Sequence, residues 1–153
     1  MDESQNGGAF VTNTRWVDKV GESLVFACSD GRFHDSRVEF LRIGREARRP
    51  DALLWPGGPA AFLVTAPWFF AVKAQVEFLA REHDLSRILA VAHHDCLYYR
   101  RKYPSSNDTD RATLQENDLR RFRTEAARIK SGLKIELYYE EPSGETIHYR
   151  KVS

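Results

Sequence analysis

Three short apolar runs, each stopped by turn-forming or polar residues, constrain the fold of this chain more than any other feature. Residues 22–28 stop at Ser-Asp-Gly, residues 51–55 at Pro-Gly-Gly-Pro, and residues 88–92 at His-His-Asp-Cys. Apolar runs of this length between breakers are more typical of buried strands than of helices, which need about 10 residues or more. The sequence therefore predicts three buried strands.

The segments between and after these runs have the periodicity of helices. A mixed helical stretch follows the first run, and its basic tail, residues 42–49, is interpreted as solvated surface. A second helix has Pro67 in its first turn, and a third is predicted over residues 111–131, closed by Gly132 and preceded by a loop at residues 103–110. The apolar residues assigned to these helices are Val38, Leu41, Ile43, Phe69, Val72, Val76, Leu79, Leu119, Phe122, Ala126 and Ile129.

The carboxyl-terminal part of the chain has the period of a strand and then a hairpin. Its alternating apolar residues are Leu133, Ile135, Leu137 and Tyr139. A Pro-Ser-Gly turn at residues 142–144 returns the chain as an edge strand over residues 147–152. Strands that alternate with helices along a chain are typical of α/β proteins. We therefore predict a single α/β domain with a mainly parallel central sheet flanked by helices and a C-terminal antiparallel edge strand.

Length and charge restrict the class of protein further. A chain of 153 residues suits one compact domain, which we expect over residues 15–153, after a loose N-terminal segment at residues 1–14. Basic stretches occur at residues 42–49, 100–102 and 120–123, but the net charge is only +1. Because nucleic-acid binding depends on a surplus of positive charge, we expect no nucleic-acid partner.

Hydropathy and cysteine content predict the compartment. No apolar run approaches the roughly 20 residues that span a bilayer, so no membrane partner is expected. The first nine residues are polar and lack the apolar core of a secretory signal. Two cysteines cannot build a disulfide framework. Together these observations predict a cytoplasmic protein.

Both cysteines and a histidine follow predicted strands. Cys28 ends the first strand, and His93 and Cys96 follow the third. In open α/β folds the carboxyl ends of parallel strands face one crevice, so these residues can meet there. Two thiolates and an imidazole suit Zn²⁺, and three protein ligands leave a fourth position open, as in catalytic zinc sites. Two alternatives stay open: Cys28 as an ordinary core residue, and His94 as the imidazole ligand in place of its neighbour.

An acidic and a basic residue, Asp30 and Arg32, follow the first cysteine at intervals of two. A guanidinium can hold a carboxylate through two parallel hydrogen bonds and so fix its orientation. Such a carboxylate can accept a hydrogen bond from metal-bound water, or bind the metal itself and close the site. We therefore interpret Asp30 and Arg32 as candidate catalytic residues.

Together the two motifs resemble the signature of the β-class carbonic anhydrases, which is Cys-x-Asp-x-Arg after one strand and His-x-x-Cys after a later one. The matching residues are Cys28, Asp30, Arg32, His93 and Cys96. The resemblance covers residues 23–152. It implies Zn²⁺ held by the two cysteines and the histidine, and reversible hydration of carbon dioxide to bicarbonate by a zinc-bound hydroxide. It also implies a homodimer or a higher homo-oligomer.

The chain differs from that family at two places near the expected pocket. Residues 55–59 are Trp-Pro-Gly-Gly-Pro where the family has Arg-Asn-Ala-Gly-Asn, and Leu97 stands where a glycine usually follows the second cysteine. The long N-terminal arm of family dimers is also largely missing. These differences leave two alternative functions: a zinc enzyme acting on another small electrophile, such as carbonyl sulfide or carbon disulfide, and a non-catalytic zinc-binding regulatory protein.

Overall fold

The computed structural model describes residues 12–153. Residues 1–11, which make up most of the predicted N-terminal segment, lie outside the described part. Residues 12–22 contain neither a helix nor a strand, and the first strand begins at Ser23. No helix among the described residues is long and apolar enough to cross a membrane.

A five-stranded sheet forms the centre of the described structure. Its strands are β1 (Ser23–Ala27), β2 (Asp51–Leu54), β3 (Arg87–His93), β4 (Lys134–Ser143) and β5 (Thr146–Val152). Their order is β2-β1-β3-β4-β5, and every neighbouring pair is parallel except the antiparallel pair of β4 and β5. The predicted fold class, with its C-terminal antiparallel edge strand, is thus confirmed.

Four α-helices and several shorter helical turns connect the strands. The α-helices are α1 (His34–Glu39), α2 (Phe70–Glu82), α3 (Leu97–Lys102) and α4 (Asp108–Ala126). The 3₁₀ helices are Gly31–Phe33, Gly58–Leu63 and Pro67–Phe69, and α1 continues as a π-helix over Phe40–Gly44. The sequence did not predict α3, because six residues with a single buried side chain, that of Tyr99, have no helical periodicity to detect.

The first helical segment buries less than the sequence predicts. Only Leu41 of its three apolar residues is buried, whereas Val38 and Ile43 are 50% and 64% exposed. Ile43 lies in the π-helix that begins at Phe40, and the wider turn of a π-helix departs from the α-helical period on which the prediction was based. Val38 lies in α1, on a side that no described residue buries.

The last helix is displaced toward the N-terminus relative to its predicted span. It begins at Asp108, because the side chain of Asn107 accepts a hydrogen bond from the backbone N–H of Asp110 at 2.8 Å and caps the helix. It ends at Ala126 rather than near residue 131, and tighter turns follow it. Gly132, with φ +77°, therefore belongs to the turn before β4 and does not close the helix.

Alternate residues of the strands build two cores, one on each face of the sheet. On one face α2 and α4 cover the sheet, and Phe122 packs edge-on against Phe26 and Phe62 at ring distances of 5.6 and 5.1 Å. On the other face α1 and the π-helix pack on a smaller cluster, which includes Leu41 and Tyr138. The parallel register pairs Ala27 of β1 with Val91 of β3, so both strands end at the same edge of the sheet.

Candidate metal centre

The sheet brings the two cysteines and the histidine together at that edge. Cys28 directly follows β1, His93 is the last residue of β3, and Cys96 immediately precedes α3. Their ligand atoms all lie within 4.8 Å of one another, and all three residues are buried. The two Sγ atoms are 4.0 Å apart. Two zinc–sulfur bonds of about 2.3 Å at the tetrahedral angle would separate the sulfur atoms by about 3.8 Å, which is close to this value.

A hydrogen bond at Nδ1 fixes the orientation of the His93 imidazole, so that Nε2 is the nitrogen available to the two cysteines. Nδ1 lies 2.7 Å from the backbone carbonyl oxygen of His94, and since a carbonyl only accepts, Nδ1 is the protonated nitrogen. The ring also packs against Phe33 at a centroid distance of 4.8 Å. Nε2 is therefore an acceptor, yet it is buried and has no hydrogen-bond partner among the described residues. A bound cation would satisfy this atom.

The charges of the group also favour a cation. A hydrogen bond from Cys96 and the neighbouring His93 lower the pKa of Cys28 to about 4, against the effect of burial. The same hydrogen bond to Cys28, together with burial, raises the pKa of Cys96. Burial opposes protonation of His93, but the Cys28 thiolate outweighs it and raises the pKa of the imidazole. Without a cation, Cys96 therefore keeps its proton beside the Cys28 thiolate, and metal binding would release that proton. Two sulfur atoms with one nitrogen are a ligand set typical of Zn²⁺.

The predicted pair of Asp30 and Arg32 forms beside this group. Arg32 donates from Nε to both carboxylate oxygens at 3.1 Å and from Nη2 to Oδ2 at 2.7 Å. The side-chain hydrogen bond from Arg32 lowers the pKa of Asp30 to about 2. The carboxylate of Asp30 is not one of the clustered ligand groups, but Asp30 lines the same cavity as Cys28.

A second carboxylate, that of Asp95, also binds Arg32. The sequence analysis did not predict this contact. Nη1 of Arg32 donates to Oδ2 of Asp95 at 3.2 Å, and Nη2 donates to its backbone oxygen at 3.2 Å. Oδ1 of Asp95 accepts from Arg100 at 2.9 Å. Asp95 is one of four non-glycine residues with positive φ in the described chain, at +55°. Arg32 thus connects the motif after β1 with the motif after β3.

A cavity of about 430 Å³ lies beside Cys28. Its lining consists of Cys28, Ser29, Asp30, Pro56, Gly57, Leu97, Tyr98 and Arg101. The loop after β2 forms one wall and the start of α3 the other, so the two positions that differ from the carbonic anhydrase pattern shape this cavity. His34, a candidate proton shuttle by its place in the sequence, lines a different groove beside α1.

Two glycines let the loop after β2 approach the site closely. At Gly57, with φ +82°, an added Cβ would lie 2.7 Å from the ring of Tyr98. At Gly58, with φ +54°, it would lie 2.8 Å from the backbone nitrogen of Cys28. Side chains are therefore excluded at both positions by contact as well as by backbone conformation. The Gly-Gly pair thus brings backbone close to Cys28 and to Tyr98.

Comparison with solved structures identifies the fold. The carbonic anhydrase of Streptococcus mutans matches with a TM-score of 0.59 at 17% identity, over 93% of this chain and 88% of that one. The β-carbonic anhydrase CafA of Aspergillus fumigatus matches with a TM-score of 0.57 at 14% identity, over 88% and 77%. One of two tetrameric β-carbonic anhydrases from Sordaria macrospora matches with a TM-score of 0.54 at 11% identity, over 86% and 81%. No family model and no curated protein matches the chain by sequence.

Proposed function

We propose that this chain, which has the fold of the β-carbonic anhydrases, catalyses the zinc-dependent reversible hydration of carbon dioxide to bicarbonate. One observation carries the proposal. A buried Cys28–His93–Cys96 group contains an unpartnered acceptor nitrogen, and it lies at a cavity that it shares with an arginine-held carboxylate.

Cys28, His93 and Cys96 would hold the metal ion. Zinc, when bound, would act as a Lewis acid and lower the pKa of water toward neutrality. With three ligands supplied by the chain, a fourth position would remain for water, and the cavity beside Cys28 would receive carbon dioxide. The hydrogen bond from His93 Nδ1 to the carbonyl of His94 keeps the ring in the tautomer that leaves Nε2 free for the metal.

Asp30 would orient the attacking water. Because Arg32 keeps its carboxylate ionised, Asp30 can accept a hydrogen bond and so direct an oxygen lone pair toward the carbon of the substrate. In a second conformation the same carboxylate would bind the metal and close the site. Arg101, which also lines the cavity, provides a positive charge for the bicarbonate anion.

Stopped-flow measurement of carbon dioxide hydration tests the proposal. The protein is first shown to contain about one zinc per chain, and the rate is then scanned from acid to alkaline pH. We expect turnover that increases with pH, and a rate present only at alkaline pH would favour a resting site closed by Asp30. A zinc-loaded protein without turnover at any pH would contradict the proposed activity.

The apolar part of the cavity wall favours a second candidate. Pro56, Leu97 and Tyr98 present carbon atoms to the substrate position, which suits carbonyl sulfide or carbon disulfide as well as carbon dioxide. Release of sulfide from these compounds without comparable hydration of carbon dioxide would favour this candidate. A zinc-loaded protein inactive on all three compounds would indicate the non-catalytic regulatory role.

We also propose that the protein assembles as a homodimer or a higher homo-oligomer. Strand β2 is an edge strand, and an apolar groove of about 660 Å³ lies between it and α1. On this groove Val38 and Leu54 are 50% and 43% exposed, so a second copy of the chain would cover apolar surface there. The Sordaria macrospora neighbours are described as tetrameric. The cytoplasmic location, the single domain over residues 15–153 and the absence of a nucleic-acid or membrane partner remain proposals from the sequence.

A further inference from the structure

We propose that Arg37, paired with Glu140, is a positioning residue that holds Cys28 in the geometry needed for metal binding. The inference rests on the proposed metal centre, although it does not depend on which small molecule that centre acts on. Neither residue belongs to the two sequence motifs, and neither contacts the cavity beside Cys28.

The guanidinium of Arg37 is buried and donates hydrogen bonds to two residues. It is 5% exposed. Nη1 donates to the backbone carbonyl oxygen of Cys28 at 3.1 Å. Nε donates to Oε2 of Glu140 at 3.3 Å, and Nη2 pairs with the other carboxylate oxygen. One side chain therefore fixes the peptide group of a proposed metal ligand.

Glu140 connects this contact to the second ligand-bearing strand. It is fully buried on β4, and the sheet register pairs it with His93 on β3. Its backbone oxygen accepts a hydrogen bond from the backbone nitrogen of His94 at 2.8 Å. Through Arg37 and Glu140, the end of β1 that carries Cys28 is thus tied to the end of β3 that carries His93.

The chemistry of the Arg37–Glu140 pair explains why its loss would weaken metal binding. A buried carboxylate without its cation is strongly unfavourable, so Glu140 would shift or admit water once Arg37 is removed. The carbonyl of Cys28 would lose its donor at the same time. A lysine cannot reproduce the arrangement, because its single ammonium group lacks the planar fork that serves a carboxylate and a carbonyl together.

The chain contains a matched control. Glu136, four positions before Glu140 on β4, is 3% exposed and pairs with Arg45. Arg45 also lies over the ring of Tyr138 at 5.4 Å, and neither Arg45 nor Glu136 has a described contact with the metal ligands. Replacing Arg45 therefore removes one cationic partner of a buried carboxylate on the same strand without touching Cys28, while Arg87 and Lys134 still pair with Glu136.

The test compares Arg37→Met, Arg37→Lys and Arg45→Met with the unsubstituted protein. Zinc affinity is measured by competition with a chromophoric chelator. The thiolate-to-cobalt absorption of the Co²⁺-substituted protein reports the geometry of the ligands. Thermal unfolding of the metal-free protein reports its stability. We expect Arg37→Met to weaken zinc binding about 10- to 100-fold, the usual effect of removing a group that orients a ligand, and to change the cobalt spectrum. Arg37→Lys should fall between it and the natural protein.

Arg45→Met should lower thermal stability while leaving zinc affinity within about twofold. An unchanged affinity and spectrum in Arg37→Met, or an equal loss in Arg45→Met, would overturn the inference. If Arg37→Met does not fold, Arg37→Lys decides, and natural affinity in it would also overturn the inference. A natural protein that binds no zinc would overturn both this inference and the proposed function, whereas zinc binding without turnover would overturn only the activity.

Discussion

The imidazole of His93 has one nitrogen bonded and one nitrogen free, which distinguishes it from the adjacent His94. We expect His93→Ala to abolish zinc binding, because no other histidine is clustered with the two sulfur atoms in the described structure. His94→Ala should retain about one zinc per chain, since His94 contributes only its backbone oxygen to the site. Metal content after dialysis, measured by atomic emission, checks both. Loss of zinc in His94→Ala with retention in His93→Ala would reverse the ligand assignment.

Substitution of the second cysteine, Cys96, tests the ligand assignment independently. Cys96→Ser replaces a thiolate by a hydroxyl, which is a poor zinc ligand at neutral pH. The expected result is a protein that folds, because the substitution changes only one buried atom, but that binds no zinc. Metal analysis beside a thermal melt measures both properties. Full zinc occupancy in this variant would refute the assignment of Cys96.

Arg32 lies between two carboxylates, and its orientation depends on both. We expect Asp95→Asn to reduce the rate of carbon dioxide hydration about 10-fold with zinc retained, because Arg32 then holds Asp30 less firmly. Asparagine tolerates the left-handed backbone at this position, so the substitution adds little strain. Arg100→Met is the control, as it removes the other partner of Asp95 and leaves Arg32 in place. Equal rates in Asp95→Asn and the natural protein would contradict the role of Asp95.

At the scale of elements, the loop after β2 is shaped by contact with the end of β1. We expect Gly58→Ala to destabilise the protein more than Gly144→Ala, although the two have similar φ values of +54° and +59°. At Gly144 an added Cβ meets nothing within 4 Å, so the cost there is the backbone strain alone, about 1–2 kcal/mol. At Gly58 the Cβ would press on backbone atoms of Cys28 and Ala27, which adds about 1–3 kcal/mol of overpacking.

Urea unfolding of the metal-free proteins measures this difference. Zinc affinity should also decrease in Gly58→Ala and not in Gly144→Ala, because only the former displaces the peptide of a ligand. Equal unfolding free energies for the two variants would contradict this prediction, because they would show that the loop after β2 can shift without displacing β1.

At the scale of the whole molecule, the apolar groove between edge strand β2 and α1 predicts self-association. Leu54→Asp places a charge on the exposed part of edge strand β2 and should shift the protein from an oligomer to a monomer. Phe78→Asp is the control, because Phe78 is 57% exposed on α2, outside the groove. Light scattering coupled to size-exclusion chromatography measures the mass. A natural protein that is monomeric when zinc-loaded, or a Leu54→Asp variant of unchanged mass, would contradict the proposed interface.

The sequence by itself determined the order of strands and helices, the fold class and the identity of the clustered residues. Short apolar runs and their breakers are local signals, and parallel strands bring their carboxyl ends to one edge whatever the details of packing. Cys28, His93 and Cys96 could therefore be assigned to one site before their distances were known. The exceptions were short or irregular elements, such as α3 and the π-helix after α1, whose periodicity is too brief or too altered to detect.

Only the tertiary structure decided how those residues are held. Arg32 and Asp95 are 63 positions apart, and Arg37 and Glu140 are 103 positions apart, so no local pattern connects them. Their pairing depends on the register between strands and on the direction in which each side chain leaves the backbone. The free Nε2 of His93 likewise results from a rotamer and a single carbonyl contact. Local patterns select the residue types of a site, whereas long-range packing sets its hydrogen bonds and charges.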